Sequence, residues 1–306
     1  MGSQKQMRYF FEVVMKCEMC GSSSSGHKLM GQRLNQTQGL RPKKKEGISV
    51  SVKKCTNCNL VYTSPQPIPF DIQDHYGIPP ENYWSASYFE WKKDHFASQI
   101  ATLKKLLDIQ PGMKALDVGA GLGKVMLSLD HAGFDTYGFE PSLPFYERAI
   151  SKMKIDPGKL KLGMIEDLDY PENHFDFITF GAVLEHLYHP AASLEKAMKW
   201  LKPGGIIHVE VPSSGWLIAK FINFYYKIAG TNYVTNTSPM HEPFHLYEFH
   251  LKSFASLGER IGFKTMLHEY MVCTIRNIPR PLHFIFRKYM EMTDTGLQLT
   301  VWLQKK

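Results

Sequence analysis

No stretch of the 306 residues approaches the ~18 uninterrupted apolar residues that a membrane span requires. The start of the chain also lacks the charged-then-apolar order of a secretory leader, because Phe10, Phe11, Val13 and Val14 are broken by Glu12 and stop at Lys16. A cytoplasmic protein is expected. Acidic residues are scarce in one place only: residues 1–60 carry 11 Lys and Arg against 3 Asp and Glu, while the remainder carries 25 against 26. The formal charge of +7 is thus the property of a segment. That segment has neither interleaved aromatics nor a recognisable reading helix, so nucleic acid is not the expected partner. What the chain does have is 43% apolar and 21% charged residues, the balance of a globular protein with a real core. At roughly 150 residues per domain, the length allows one large domain or one domain with an appendage.

Four of the five cysteines lie in the basic segment, as Cys17-Glu-Met-Cys20 and Cys55-Thr-Asn-Cys58. Gly21 follows Cys20 and can adopt the left-handed backbone of a thiolate knuckle. Two such knuckles supply four thiolates suited to a structural Zn²⁺, which a reducing compartment favours over disulfides. Redox C-x-x-C motifs are the alternative, but neither pair opens a helix after a buried strand. The insert between the knuckles holds Lys43, Lys44, Lys45, Lys53 and Lys54. These lysines offset a site whose four thiolates and Zn²⁺ sum to a dianion, or meet a phosphate-bearing substrate.

Leu60-Val61-Tyr62 is strand-like, and Pro65, Pro67 and Pro69 then predict an irregular linker ending the amino-terminal module at about residue 70. An aromatic-rich helix is expected from Ser85 to Asp108, with Phe89, Phe96, Ile100, Leu103 and Leu107 at helical spacing. After Pro111-Gly112 come a short apolar strand and a glycine loop, Asp117-Val118-Gly119-Ala120-Gly121-Leu122-Gly123, with an apolar helix behind. A dinucleotide fingerprint would need glycine where Lys124 stands, and Asp117 would repel a pyrophosphate. A second strand, Asp135 to Glu140, ends in a carboxylate placed to accept hydrogen bonds from both hydroxyls of a ribose.

Asp117 to Gly123, Glu140, His174-Phe175-Asp176-Phe177-Ile178, Val183-Leu184-Glu185-His186 and Leu201-Lys202-Pro203-Gly204-Gly205 together resemble the class I S-adenosylmethionine-dependent methyltransferases, from about residue 85 onward. The resemblance implies an α/β fold, a doubly wound seven-stranded Rossmann-like sheet whose last strand is antiparallel. Further strands are expected at Phe177–Phe180, Gly205–Val211, Lys264–Val272 and Gln298–Leu303. It also implies S-adenosylmethionine as cofactor, held by Asp117, Gly119, Ala120, Gly121, Gly123, Glu140, Pro141, Ile165 and Glu166. Asp117 would hold the methionine amino group and Glu140 the ribose. Met164 and Ile165 are apolar where relatives often carry an acid for the adenine amine, so they would pack on its face while Glu166 or a backbone group reads its edge. The paired C-x-x-C motifs followed by Leu-Val-Tyr-x-x-Pro-x-Pro resemble the zinc-binding, zinc-ribbon-like leader of bacterial methyltransferases in polysaccharide and secondary-metabolite pathways.

Methyl transfer asks the protein mainly to align a nucleophile and, where needed, to take its proton. The resemblance implies that His186 lies close to where the methyl group would point, as a catalytic group or, since the same motif serves unrelated substrates, as a cofactor-pocket or structural residue. His189 precedes Pro190 and is expected to cap the next helix. His245, near the end of an insertion (213–250) that covers the substrate mouth in this fold, is the first choice as base or substrate-orienting group. In nucleotide-sugar C-methyltransferases with the same leader a comparable histidine follows a glutamate; here Phe244 precedes it and their additional carboxyl-terminal domain is missing. O-methylation of a sugar, sugar nucleotide or polysaccharide precursor becomes the leading expectation. The insertion's Trp216–Ile228 stretch reads as a lid helix over an apolar substrate, as a surface packed on the domain or a partner, or as a peripheral contact with a membrane. Residues Pro279–Met290, with Arg280, Arg287 and Lys288, would form a second wall of the mouth, and Cys273 would be a buried core thiol. Competing functions are an RNA methyltransferase using the basic segment, although the Asn/Asp-Pro-Pro-Tyr/Phe motif is missing, and a binding protein that keeps the fold without catalysis. The methyl acceptor and oligomeric state are not legible. The expected division is 1–70 for the zinc module and linker and 71–306 for the catalytic domain.

Overall fold

Alternation of apolar strands with amphipathic helices after residue 110 builds a doubly wound sheet, and the amino-terminal residues share its core. The structure is a computed structural model that describes residues 9–34, 49–82, 86–237, 244–272 and 280–306. In the leader, β1 (Tyr9–Glu12), β2 (Lys28–Leu34), β3 (Ser49–Lys54), β4 (Val61–Ser64) and β5 (Gln66–Pro69) precede a short helix, α1 (Ile72–Tyr76). The prolines do not make an irregular linker. β5 pairs antiparallel with β1, with Pro67 opposite Phe11 and Pro69 opposite Tyr9. A two-stranded ribbon is all edge, where proline's missing donor costs little.

The expected helix over 85–108 is shorter. Only α2 (Ala97–Leu106) is α-helical, because Phe96 adopts a left-handed φ of 61° and Leu107 returns to extended backbone. The repeating units follow as β6 (Lys114–Val118), α3 (Lys124–His131), β7 (Asp135–Glu140), α4 (Leu143–Ser151), β8 (Leu160–Leu162), β9 (Phe175–Gly181), α5 (Pro190–Trp200) and β10 (Leu201–Pro212). The chain closes with α6 (Leu217–Ile228), β11 (Tyr247–Glu248), α7 (Leu251–Ile261), β12 (Phe263–Met271), α8 (Arg280–Met292) and β13 (Gln298–Lys305).

Seven strands form one sheet in the order β12-β13-β10-β9-β6-β7-β8, with β13 antiparallel to both neighbours and the rest parallel. The expected last antiparallel strand is present. β9 runs buried from Phe175 to Phe180 because helices cover both faces of a parallel sheet. Its one charged residue, Asp176, is neutralised by Lys202 Nζ at 2.8 Å and accepts the Lys114 N–H at 2.8 Å. Strand order reverses between β6 and β9, which places the ligand crevice at their carboxyl ends.

The leader shares the core of the catalytic sheet. Cys17, Met19, Cys55, Leu60 and Tyr62 belong to one buried cluster with Leu116, Val118, Phe180 and Val209. Its own four-stranded sheet, β11-β4-β3-β2, takes β11 from the insertion, with Tyr247 opposite Tyr62 and Glu248 opposite Val61. α7 follows with a capping box, in which His250 accepts the Lys252 N–H and Ser253 Oγ the His250 N–H. His189 starts α5, but its side chain makes no cap bond and instead lies 3.6 Å from Glu18. Pro190 at the first position leaves one fewer donor to satisfy. Among the described residues, no helix is long and apolar enough to cross a membrane.

Candidate functional site

β6 delivers Asp117 and Val118 to the crevice, and the chain turns through Gly119, Gly121 and Gly123 at φ of 68°, 55° and 75°. These left-handed conformations suit glycine. Space requires it too: a Cβ on Gly119 would lie 2.7 Å from Val183 Cγ2, and one on Gly123 2.6 Å from Ile155 Cγ1. Ala120 N–H, bonded to the Phe139 carbonyl at 2.9 Å, pins the loop to β7. Glu140 closes the turn from the other side, accepting the Gly121 N–H on Oε2 and the Ser142 N–H on Oε1, each at 2.8 Å.

Both carboxyl groups here are buried. Burial, and then the neighbouring Glu140 charge, pushes Asp117 up to about 8. Burial pushes Glu140 up to about 7 against the pull of the Ser142 and Gly121 N–H groups. Two carboxyls held up by desolvation form a site that a cationic ligand with hydroxyl donors would complete.

A cavity of about 510 Å³ opens beside this loop. Gly119, Gly121, Glu140, Pro141, Ile165 and Glu166 line it, as do Met164, His186 and His245. Asp117, Ala120 and Gly123 do not reach its surface. The residues that sequence reasoning missed are Ile72, His75, Tyr76 and Ile78 from the end of the leader, with Tyr88 and Phe145. Their signal was present as an apolar and aromatic i, i+3, i+4 set, Ile72, His75 and Tyr76, beyond prolines that read as a linker. α1 is tied down over the cofactor turn by Gln73 Nε2 to the Pro141 carbonyl at 2.8 Å and Ser142 Oγ to the Tyr76 carbonyl at 2.7 Å. Glu81, next along, meets Arg148 at 3.1 Å and Lys152 at 3.0 Å.

The two candidate histidines, 59 residues apart in sequence, come together. Their rings meet edge to face with centroids 4.6 Å apart. A lattice of backbone bonds places them. The Phe244 N–H donates to His75 Nε2 at 3.3 Å, its carbonyl accepts from His186 Nδ1 at 3.0 Å, and the Leu246 N–H donates to the Glu185 carbonyl at 2.8 Å. The Thr63 N–H then meets the Leu246 carbonyl at 3.0 Å. Because a carbonyl only accepts, His186 carries its proton on Nδ1 and keeps the Nε2 lone pair. Glu185, quoted in the sequence only as part of a motif, is buried behind the histidines, and burial above all raises its carboxyl to about 8.

Of the described insertion residues, only Phe244 to Glu248 are stitched to this wall, and only His245 lines the cavity. The expected lid helix does not cover it. α6 exposes Phe221, Phe224, Tyr225 and Ile228, packs Phe221 against Phe286 of α8 at 6.5 Å, and points the rest outward. Among its described side chains, from Leu282 onward, α8 does not supply the expected second wall either, since none of them lines the cavity. His241, Glu242, Pro243, Lys43–Lys45 and Cys273 lie outside the described residues.

The four leader cysteines converge. Their sulfurs all lie within 4.8 Å of one another, with Cys17 and Cys58 at 3.5 Å and Cys20 and Cys55 at 3.6 Å. Thiolates ~2.3 Å from a tetrahedral ion sit ~3.8 Å apart, so the set suits Zn²⁺. Burial pushes the Cys55 thiol up, but the Ser22 hydroxyl and the Cys58 and Asn57 N–H groups outweigh it and bring it to about 7.

Comparison with known proteins gives one picture. The pattern of a family described as "Methyltransferase domain" matches residues 91–268. A "Ubiquinone biosynthesis O-methyltransferase" of Bradyrhizobium sp. (strain ORS 278) is 28% identical over 139 residues, 44% of this chain and 52% of that one. A "Demethylmenaquinone methyltransferase" of Oceanobacillus iheyensis is 33% identical over 122 residues, 38% of this chain and 48% of that one. The chain spans about half the length of these curated relatives. A solved S-adenosylmethionine-dependent methyltransferase from Methanosarcina mazei superposes with a TM-score of 0.48 at 17% identity, over 67% of this chain and 96% of that one.

Proposed function

The chain belongs to the methyltransferase-domain family, its pattern matching more than half of the sequence, and from that premise we propose that it is an S-adenosylmethionine-dependent methyltransferase acting on a small hydroxylated molecule. The observation that carries this reading is one cavity lined both by a glycine loop with the desolvated Glu140 carboxyl, next to the buried Asp117, and by paired histidines. When bound, the cofactor supplies an electrophilic methyl group. The rest falls to the chain. Gly119 and Gly121 leave room for close approach, Asp117 answers an ammonium, and Glu140 accepts from ribose hydroxyls while it holds Gly121 and Ser142 in place. Ile165, Met164 and Glu166 line the adenine end. His245 and His186 orient the acceptor or take its proton, with Phe244 fixing the His186 tautomer.

The reaction proposed is O-methylation, with a sugar, sugar nucleotide or polysaccharide precursor as acceptor. The zinc-leader resemblance supports the sugar, and the O-methyltransferase name of the Bradyrhizobium relative supports O-transfer. The four cysteines are proposed to hold a structural Zn²⁺. Calorimetry with S-adenosylhomocysteine, followed by a metabolite screen for cofactor turnover, tests the proposal. No heat at millimolar ligand would leave only a binding protein with this fold.

The outward faces of α6 and α8 favour one addition, docking to an anionic membrane from the cytoplasmic side. Phe224 is 63% exposed, Ile228 70% and Met292 83%. Lys220, Lys227, Arg287 and Lys288 are interspersed on the same helices, and Lys54 lies near both Lys220 and Lys28. Co-sedimentation with vesicles containing phosphatidylserine should retain the protein and release the Phe224→Glu, Ile228→Glu double variant. No sedimentation of the unmodified chain would remove the membrane from the proposal.

A further inference from the structure

Glu185, His186 and His245 form a cluster of which base chemistry uses only the histidines. One ligand atom from each, an Oε and two ring nitrogens, lies within 4.8 Å of the others. Ligands ~2.1 Å from a common ion are ~3.0–3.4 Å apart, a spacing that small side-chain rotations reach from here. Three features mark the cluster as built for an ion.

The first is Glu185. It is 1% exposed, and among the described residues its Oε2 accepts no hydrogen bond. Leaving a carboxylate oxygen buried without a donor is costly, whereas a cation satisfies it. The second is His186, whose Nδ1–H donates to the Phe244 carbonyl and so presents Nε2 as the basic nitrogen. This is the outer partner that metal-bound histidines characteristically have. The third is access. Both histidines line the cavity and Glu185 does not, so three protein ligands approach from one side and the remaining positions face the substrate. The arrangement is held by the Leu246 N–H to the Glu185 carbonyl and by the His186 N–H to the Val183 carbonyl at 2.9 Å.

We propose that Glu185, His186 and His245 bind a divalent first-row transition ion, separate from the four-cysteine centre, whose open positions take an acceptor hydroxyl. Two imidazoles and a carboxylate form a donor set for Zn²⁺, Co²⁺ or Fe²⁺. The role deepens the methyl-transfer reading and rests on it. Coordination lowers the hydroxyl's pKa, and its proton leaves to solvent water. The oxygen's electron pair then forms the O–CH₃ bond as the carbon–sulfur bond of the sulfonium breaks, leaving a neutral thioether. His245 thereby orients the acceptor as a ligand and is not itself the proton carrier.

The test titrates the full chain, with its cysteine centre already loaded with zinc, with Co²⁺. One equivalent should bind, with the visible absorption of a nitrogen and oxygen site and without the charge-transfer band of thiolates. Glu185→Gln and His245→Ala should each weaken Co²⁺ at least ~100-fold while keeping one zinc per chain and unchanged affinity for S-adenosylhomocysteine, which also shows that both variants fold. If the unmodified chain takes up no Co²⁺ beyond the cysteine centre at millimolar concentration, or if both variants bind as the parent does, the site is refuted. Cofactor-product binding in the same samples scores the methyl-transfer reading separately. Product binding with no second metal sinks the site alone, and Co²⁺ binding with no product binding sinks that reading alone.

Discussion

Affinity for S-adenosylhomocysteine should rise steeply between pH 6 and pH 8 if Asp117 and Glu140 hold the cofactor as proposed, because burial keeps both carboxyls largely protonated at pH 6 in the ligand-free protein. Glu140 titrates at about 7 and Asp117 at about 8. Each must be ionised to meet its share of the ligand, the ribose hydroxyls and the ammonium. The group that binds the ligand therefore has a proton to lose at pH 6 and little to lose at pH 8, so binding tightens upward. If only Glu140 must ionise, its competent fraction goes from about one-eleventh to about ten-elevenths, a gain of ~10-fold. If Asp117 must ionise as well, from about 1% to about one half, the combined gain reaches ~500-fold. Calorimetry at pH 6, 7 and 8, in paired buffers of different ionisation enthalpy, reads both the affinity and the protons released. Asp117→Asn should weaken binding overall and flatten the profile to ~10-fold. An affinity constant within a factor of two across this range, with no proton release, would refute the assignment of these carboxyls to the ligand.

The same shifts govern stability in the opposite sense. A carboxyl raised on folding costs stability as pH climbs from its unfolded value of about 4 through 7 to 8, so the ligand-free protein should melt lower at pH 8 than at pH 6, and S-adenosylhomocysteine should narrow that gap. Gly121→Val places a β-branched residue at a φ of 55° and projects it into the cavity that Gly121 lines, and should reduce product affinity at least ~100-fold by calorimetry with the fold intact by circular dichroism. His245→Ala should keep product affinity and slow turnover by ~10²–10⁴ in a methyl-transfer assay; an unchanged rate would remove His245 from the reaction. Cys58→Ser should abolish stoichiometric zinc and, because Cys58 belongs to the core shared with the catalytic sheet, lower a single cooperative melting transition by at least ~5 °C. Two separate transitions would show that the leader folds independently.

What was legible in the sequence was local. The glycine loop and Glu140 follow from turn chemistry and periodicity, which act over a few residues, and the seven-stranded sheet was implied by the resemblance that those motifs carry. Each C-x-x-C pair is equally local, and the sequence also indicated that the two pairs meet. What escaped was contributed from a distance. α1 reaches the cavity from beyond Pro65, Pro67 and Pro69, and those prolines concealed a paired strand because only a partner, β1, could supply it with register. The reading of Trp216–Ile228 as a lid failed for the converse reason: an amphipathic helix declares an apolar face, and composition does not say which neighbour meets it. Glu185 was overlooked because an acidic residue within a strand-to-helix turn looks solvated until its burial is seen.

The two-residue strand β11 has a wider meaning. Tyr247 and Glu248 hydrogen-bond to the leader strand β4, and His245 stands two positions before them. The cavity-lining His245 is therefore aimed by a scaffold lying about 185 residues earlier in the chain. In evolutionary terms the leader and the tail of the insertion form one heritable unit. Relatives could exchange acceptors by altering α6 or the cavity rim, but a swapped leader would have to carry its matching 244–249 segment or deliver a functional histidine to the wrong place.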